Sequence, residues 1–155
     1  MKQINEWLED YGESHKNETN KTIHWLCVPT IFFTIVGLLY CIKLPVQLWP
    51  MVQLNVAILV IFAVILYYFS LSKTIWIGML VFGLMCLSIC YFIENYTPVS
   101  LWMVCVILFA AAWIGQFYGH KVEGKKPSFL KDLQFLLIGP MWLMSFIYKK
   151  LGVRY

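Results

Sequence analysis

The chain alternates between long apolar runs and short polar segments. Four of the runs cover residues 25–42, 51–71, 75–93 and 99–117. Each is close to the roughly 20 residues that a helix, rising 1.5 Å per residue, needs to cross a hydrocarbon layer of about 30 Å. The pattern therefore predicts four transmembrane helices, and the short connections between them predict that consecutive helices are antiparallel neighbours.

A fifth apolar run, residues 133–148, is shorter and contains Gly139-Pro140 near its middle. Proline removes a backbone donor and clashes with the preceding helical turn. We expect this run to form a re-entrant or interfacial helical segment rather than a full span. The predicted fold class is all-α, an integral membrane helical bundle that forms one domain over residues 1–155.

Composition and charge agree with a membrane protein. Apolar residues make up 61% of the chain and charged residues 13%, against about 45–50% and 25% in soluble domains. Loops rich in Lys and Arg are retained on the cytoplasmic side of a membrane. With four spans and a cytoplasmic N-terminus, all Lys and Arg residues except Lys43 lie on that side. We therefore expect a multi-pass protein with cytoplasmic termini, in a bacterial plasma membrane or the endoplasmic reticulum. Its partners would be membrane lipids and not nucleic acid, because its basic residues lie in loops beside apolar runs.

The chain contains three histidines, His15, His24 and His120. His15 precedes the first span, His24 lies at its entrance and His120 follows the fourth span. Four crossings return the chain to its starting side, so all three histidines are predicted to lie at the same cytoplasmic edge.

Polar residues accompany each histidine at helical spacing, since residues three or four apart share a helix face. His15 and His24 are nine positions apart, which places them on opposite sides of a continuous helix. A break is therefore needed between them, and the run 17–20 offers Asn and Thr as helix caps. The accompanying polar residues are Tyr11, Asn20, Gln116 and Glu123.

The three histidines and their polar neighbours predict a metal site in which some coordination positions of the metal stay open. Imidazole is a ligand for zinc, iron, copper or nickel, and its second nitrogen needs a partner that sets the tautomer. A single interfacial histidine is more often an ordinary hydrogen-bonding residue, so the prediction depends on all three together. Lys125 can bind a lipid headgroup or a fatty-acid carboxylate, or it can simply retain its loop inside.

The two histidine clusters and Gly139-Pro140 together resemble the Mpo-type 2-hydroxy fatty acid dioxygenases, a family of small multi-pass membrane proteins. The first cluster runs from Tyr11 through His15, Asn20 and His24 to Pro29, and the second from Gln116 through Gly119, His120 and Glu123 to Pro127. The resemblance covers essentially the whole chain. It implies a dioxygenase that uses Fe(2+) and dioxygen to convert a 2-hydroxy fatty acid to a fatty acid one carbon shorter, in α-oxidation.

Within that family, the resemblance implies that His15, His24 and His120 are the iron ligands. Tyr11 and Glu123 are the expected catalytic side chains, and Asn20, Gln116 and Lys125 are expected to support the ligands or the substrate. Glu123 either completes a site of two histidines and one carboxylate or orients His120, and we favour orientation. Two other functions stay open: a metal-dependent lipid hydrolase, and a non-catalytic lipid-binding or scaffold protein.

Overall fold

The protein is mostly helical, as predicted. A computed structural model describes residues 4–13, 15–50, 52–124 and 134–155. In these residues it has six helices and one β-hairpin. In chain order they are α1 (Ile4–Gly12), α2 (Glu18–Tyr40), β1 (Lys43–Trp49), β2 (Val52–Asn55), α3 (Val56–Leu71), α4 (Ile75–Tyr96), α5 (Leu101–Glu123) and α6 (Gln134–Lys150).

Three of the described helices, α2, α4 and α5, are long and apolar enough to cross a membrane, with 23, 22 and 23 residues. Helix α3 is also apolar but has 16 residues, or about 24 Å of helix, which is less than a hydrocarbon layer of about 30 Å. Three candidate spans are therefore present, and the four-span topology with cytoplasmic termini stays a prediction.

The largest difference from the predicted boundaries is at the second apolar run. Its helix begins at Val56 instead of residue 51, because the preceding residues form β2 and pair with β1 in an antiparallel hairpin. The side chain of Asn55 accepts a hydrogen bond from the backbone of Ile58 at 3.2 Å and so caps α3. Prolines at positions 45 and 50 lack backbone donors and disfavour a helix through the connection.

Two predicted spans are extended at the ends that carry histidines. Helix α2 begins at Glu18, before the predicted start at residue 25, and α5 continues to Glu123, beyond the predicted end at residue 117. His24 and His120 therefore lie within helices and not beside them. At the opposite end of the bundle, the Lys43 ammonium forms an ion pair with the Glu94 carboxylate at 2.7 Å.

Helix α6 is continuous through Pro140, the residue for which we expected a re-entrant or interfacial segment instead of a full span. An internal proline removes one backbone hydrogen bond, and packing around α6 compensates for that loss. Ile138 and Met141 are fully buried, and the Tyr68 hydroxyl donates to the Leu137 carbonyl at 2.7 Å. The chain thus does not reverse direction in the described part of this segment, and whether α6 is interfacial stays a prediction.

Helices α2 and α5 pack closely because glycines face the partner helix. A Cβ atom at Gly115 would lie 2.7 Å from the Cys27 sulfur, and one at Gly119 would lie 2.5 Å from the Asn20 side-chain oxygen. Small residues of this kind allow membrane helices to approach each other. The close approach brings the histidine of α2 next to the histidine of α5.

Candidate metal centre

The three histidines meet in the interior at one end of the bundle. His15, His24 and His120 are 1%, 1% and 3% exposed. One nitrogen from each ring lies within 4.8 Å of the others. The three histidines therefore lie together at one end of the bundle, as we expected from four membrane crossings.

A break between α1 and α2 allows His15 and His24 to face each other. Helix α1 ends at Gly12, and α2 begins after Asn17, whose side chain accepts hydrogen bonds from the backbone of Thr19 and Asn20. His15 lies in this break. The predicted interruption is confirmed, and Asn17 is its cap.

Backbone carbonyls set the tautomer of two histidines. The Nδ1–H of His15 donates to the Tyr11 carbonyl at 2.6 Å, and the Nδ1–H of His24 donates to the Asn20 carbonyl at 2.9 Å. Each ring then presents Nε2 with its lone pair free, which is the form that binds a metal ion.

The free lone pairs point at the same place. The Nε2 atoms of His15 and His24 are 2.9 Å apart, and two acceptors at this distance repel unless a cation or a proton lies between or beside them. Two imidazole nitrogens that share one ion at about 2.0–2.1 Å lie roughly 3.0–3.4 Å apart. His120 Nδ1 is buried with no hydrogen-bond partner in the described part of the chain. This donor set fits a metal ion.

The surroundings keep His15 uncharged. Burial lowers the pKa of His15 from 6.5 to about 4, and the nearby His120 acts in the same direction, while the hydrogen bond to the Tyr11 carbonyl opposes them. At neutral pH the ring therefore carries no proton on Nε2, and a metal ion does not have to displace one.

Aromatic rings hold His15 in place. The Tyr11 ring stacks on it with centroids 4.3 Å apart and planes 10° apart, and the Trp142 ring lies 5.3 Å away. Tyr11 was expected beside the histidines, whereas Trp142, on α6, was not. The nearby Gly139-Pro140 pair was the available signal, because it marks where α6 packs against Tyr11 and Val28.

In the described structure, the hydrogen bonds of Glu123 go to the segment that carries His15 and to Asn20. A role of Glu123 in orienting His120 stays a prediction. The Glu123 carboxylate accepts hydrogen bonds from the backbone of Lys16 at 2.9 Å and Asn17 at 2.8 Å, and from the Asn20 amide at 3.1 Å. The carboxylate thereby joins the end of α5 to the start of α2. These bonds would have been hard to predict, because they connect residues more than 100 positions apart.

The other predicted residues are placed as follows. Asn20 is buried and links His24, through its carbonyl, with Glu123, through its amide. Gln116 is buried on α5 one turn before His120. Lys125 lies outside the described residues. Their roles in binding stay predictions.

The fold and the site together define a mostly helical protein of membrane type, with a buried three-histidine site that can hold a metal ion. Residues 1–151 match the family described as 2-hydroxy-palmitic acid dioxygenase Mpo1-like, and the chain belongs to this Mpo1-like family. It is also similar to the 2-hydroxy-palmitic acid dioxygenase MPO1 of Saccharomyces cerevisiae, with 29% identity over 144 residues, which cover 92% of this chain and 78% of that protein. No solved structure matches it. The family that the sequence motifs resembled is thus confirmed.

Proposed function

We propose that the protein is an iron(II)-dependent membrane dioxygenase that converts 2-hydroxy fatty acids to fatty acids one carbon shorter. The observation that carries this proposal is the buried trio of His15, His24 and His120 in a member of a dioxygenase family. The yeast relative is named for the same substrate class. Three neutral imidazoles leave coordination positions open, as catalytic sites require.

The proposed reaction balances with dioxygen as the only co-substrate. A 2-hydroxy acid and O2 give the acid one carbon shorter, carbon dioxide and water. The bond between the carboxyl carbon and the hydroxyl-bearing carbon breaks, and the latter becomes the new carboxyl carbon. A bound iron(II) ion would supply the position that activates dioxygen and holds the substrate's carboxylate and hydroxyl.

The protein's own groups have separate roles in this proposal. The carbonyls of Tyr11 and Asn20 orient the imidazoles of His15 and His24. Burial raises the pKa of Tyr11, so its phenol stays protonated and can donate to the substrate. Gln116 offers amide hydrogens to a carboxylate, Lys125 offers a positive charge, and Glu123 holds the segment that carries His15.

The membrane arrangement belongs to the same proposal. The chain would form one membrane domain with four spans, with both termini and the histidines on the cytoplasmic side of a bacterial plasma membrane or the endoplasmic reticulum. The carboxylate end of a fatty acid would then reach the histidines from the interface, while its tail stays among the helices. The partners would be the fatty acid and membrane lipids.

The test is metal analysis of anaerobically purified protein, comparing wild type with His24→Ala and with Phe62→Ala. Phe62 is 66% exposed on α3 and serves as the control for a membrane-facing change. Air and a 2-hydroxy fatty acid are then added, and products are identified by mass spectrometry. We expect near-stoichiometric iron and an acid one carbon shorter in wild type and Phe62→Ala, and neither in His24→Ala.

Other results would identify a different function. Stoichiometric zinc, with no oxygen consumption, would favour a metal-dependent lipid hydrolase. No metal and no product in any variant would favour a non-catalytic lipid-binding or scaffold protein. Either result would contradict the dioxygenase proposal.

A further inference from the structure

A long groove lies in the apolar part of the bundle and begins beside the histidine site. Its empty volume, counted together with the part that is open to the surroundings, is about 720 Å³, and residues of α1, α2, α3, α5 and α6 line it. Tyr11 and Gln116 line one end. Because the Tyr11 ring stacks on His15 and Gln116 lies one turn from His120, this end of the groove adjoins the metal centre.

The groove is polar near the histidines and apolar beyond them. Its wall on α2 is a stripe at helical spacing, and α3 adds three more aliphatic residues. The α2 stripe consists of Val28, Ile31, Phe32, Ile35, Val36 and Leu39. A ligand that matches this wall has one polar end and a long unbranched apolar remainder.

The length of the groove corresponds to a long acyl chain. Val28 and Leu39 are 11 positions apart, so the stripe extends about 16 Å along the axis of α2. An extended alkyl chain with C–C bonds of about 1.5 Å advances about 1.3 Å per carbon. The stripe therefore accommodates about 13 carbons. The additional turn between His24 and Val28, about 6 Å, brings the total to about 17 carbons beyond the groups at the histidines.

Gly139 keeps the entrance of the groove open. A Cβ atom at this position would lie 2.9 Å from the Tyr11 hydroxyl and 3.3 Å from a Val28 methyl group. A side chain here would push on Tyr11 and Val28 where the polar part of the groove meets the apolar part. The close approach of α6 thus shapes the passage without filling it.

We propose that this groove binds the acyl chain of the substrate and that its far end sets the preferred chain length. This inference rests on the proposed function. The carboxylate and hydroxyl lie at the histidines beside Tyr11 and Gln116, and the terminal methyl group lies near Leu39 and Val60. The ligand is a single-chain 2-hydroxy fatty acid, and acids much longer than about 19 carbons extend past the groove.

Val60 and its neighbour Leu59 provide a matched pair of variants. Val60 lines the groove and is 38% exposed, whereas Leu59 is 50% exposed and does not line it. We expect Val60→Trp to shift the preferred substrate about four carbons shorter, because an indole removes about one helical turn of groove length. Turnover of the longest acids should fall at least tenfold, and Leu59→Trp should keep the wild-type profile. An unchanged profile in Val60→Trp, with product still formed, would overturn the groove proposal and leave the proposed function intact.

A binding measurement separates the groove from the reaction. The probe is a 2-hydroxy fatty acid of about 19 carbons, the length that reaches the far end of the groove, with a photoreactive diazirine at its terminal carbon, added to purified protein in detergent without oxygen. We expect labelled peptides that contain Leu39 or Val60, loss of label with excess 2-hydroxy fatty acid, and less label in Val60→Trp than in Leu59→Trp.

The outcomes distinguish the two proposals. Groove labelling that 2-hydroxy acid competes away, without any turnover in air, would support the groove and contradict the dioxygenase. Labelling spread over outward-facing residues such as Leu59 and Phe62, or competition by phospholipid as effective as that by the acid, would contradict the groove. The latter result would identify a membrane lipid as its occupant.

Discussion

Replacing Glu123 by glutamine should loosen the segment that carries His15 and weaken metal binding. The carboxylate accepts three hydrogen bonds, from Lys16, Asn17 and Asn20. Glutamine keeps one acceptor oxygen but presents an NH2 group where the other oxygen was, so at least one donor loses its acceptor. The negative charge that strengthens these bonds is also lost.

The size of the effect follows from these contacts. A hydrogen bond to a charged group contributes about 1.5–3 kcal/mol, and water replaces part of this at the exposed backbone donors of Lys16 and Asn17. The expected net loss for the folded segment is about 2 kcal/mol. If metal binding requires that segment to be ordered, the affinity falls about 30-fold.

The assay is competition for iron(II) or cobalt(II) between the protein and a calibrated chelator. Glu18→Gln is the control, because Glu18 is a neighbouring exposed glutamate that pairs with Lys21 and does not contact Glu123 in the described structure. We expect Glu123→Gln to reach the wild-type cobalt spectrum at saturating metal. An unchanged affinity would refute the role of Glu123 in holding the segment, and an altered spectrum at saturation would identify Glu123 as a ligand.

Two further predictions concern Tyr11 and His15. Tyr11→Phe keeps the ring that stacks on His15 but removes the hydroxyl. We therefore expect normal iron content and a kcat about 100-fold lower. A normal kcat would show that the phenol takes no part in the reaction. Because burial lowers the pKa of His15 from 6.5 to about 4, the folded metal-free protein binds fewer protons than the unfolded chain between these values. Its stability should therefore fall as the pH decreases from 6.5 to about 4. Thermal unfolding across this range measures the slope, which should be smaller in His15→Gln, and equal slopes in the two proteins would contradict the assignment.

The sequence by itself was sufficient for the helical membrane class, the convergence of the histidines and the family. The lengths of the apolar runs are local properties of the chain, and the predicted even number of crossings would return His120 to the end where His15 and His24 lie. The helix break before His24 was also predictable, because nine residues of continuous helix would have turned the two rings away from each other.

The tertiary structure decided what each polar side chain contacts. In the described fold, the group that could hold a metal ion consists of the three histidines without Glu123. The Glu123 carboxylate accepts hydrogen bonds from the backbone of Lys16 and Asn17. Trp142, on α6, contacts the His15 ring. The hairpin also shortened the second apolar run to a helix of 16 residues. These features depend on how distant segments pack, and spacing along the chain does not determine packing. The groove is the clearest case, because its shape and depth exist only where five helices come together.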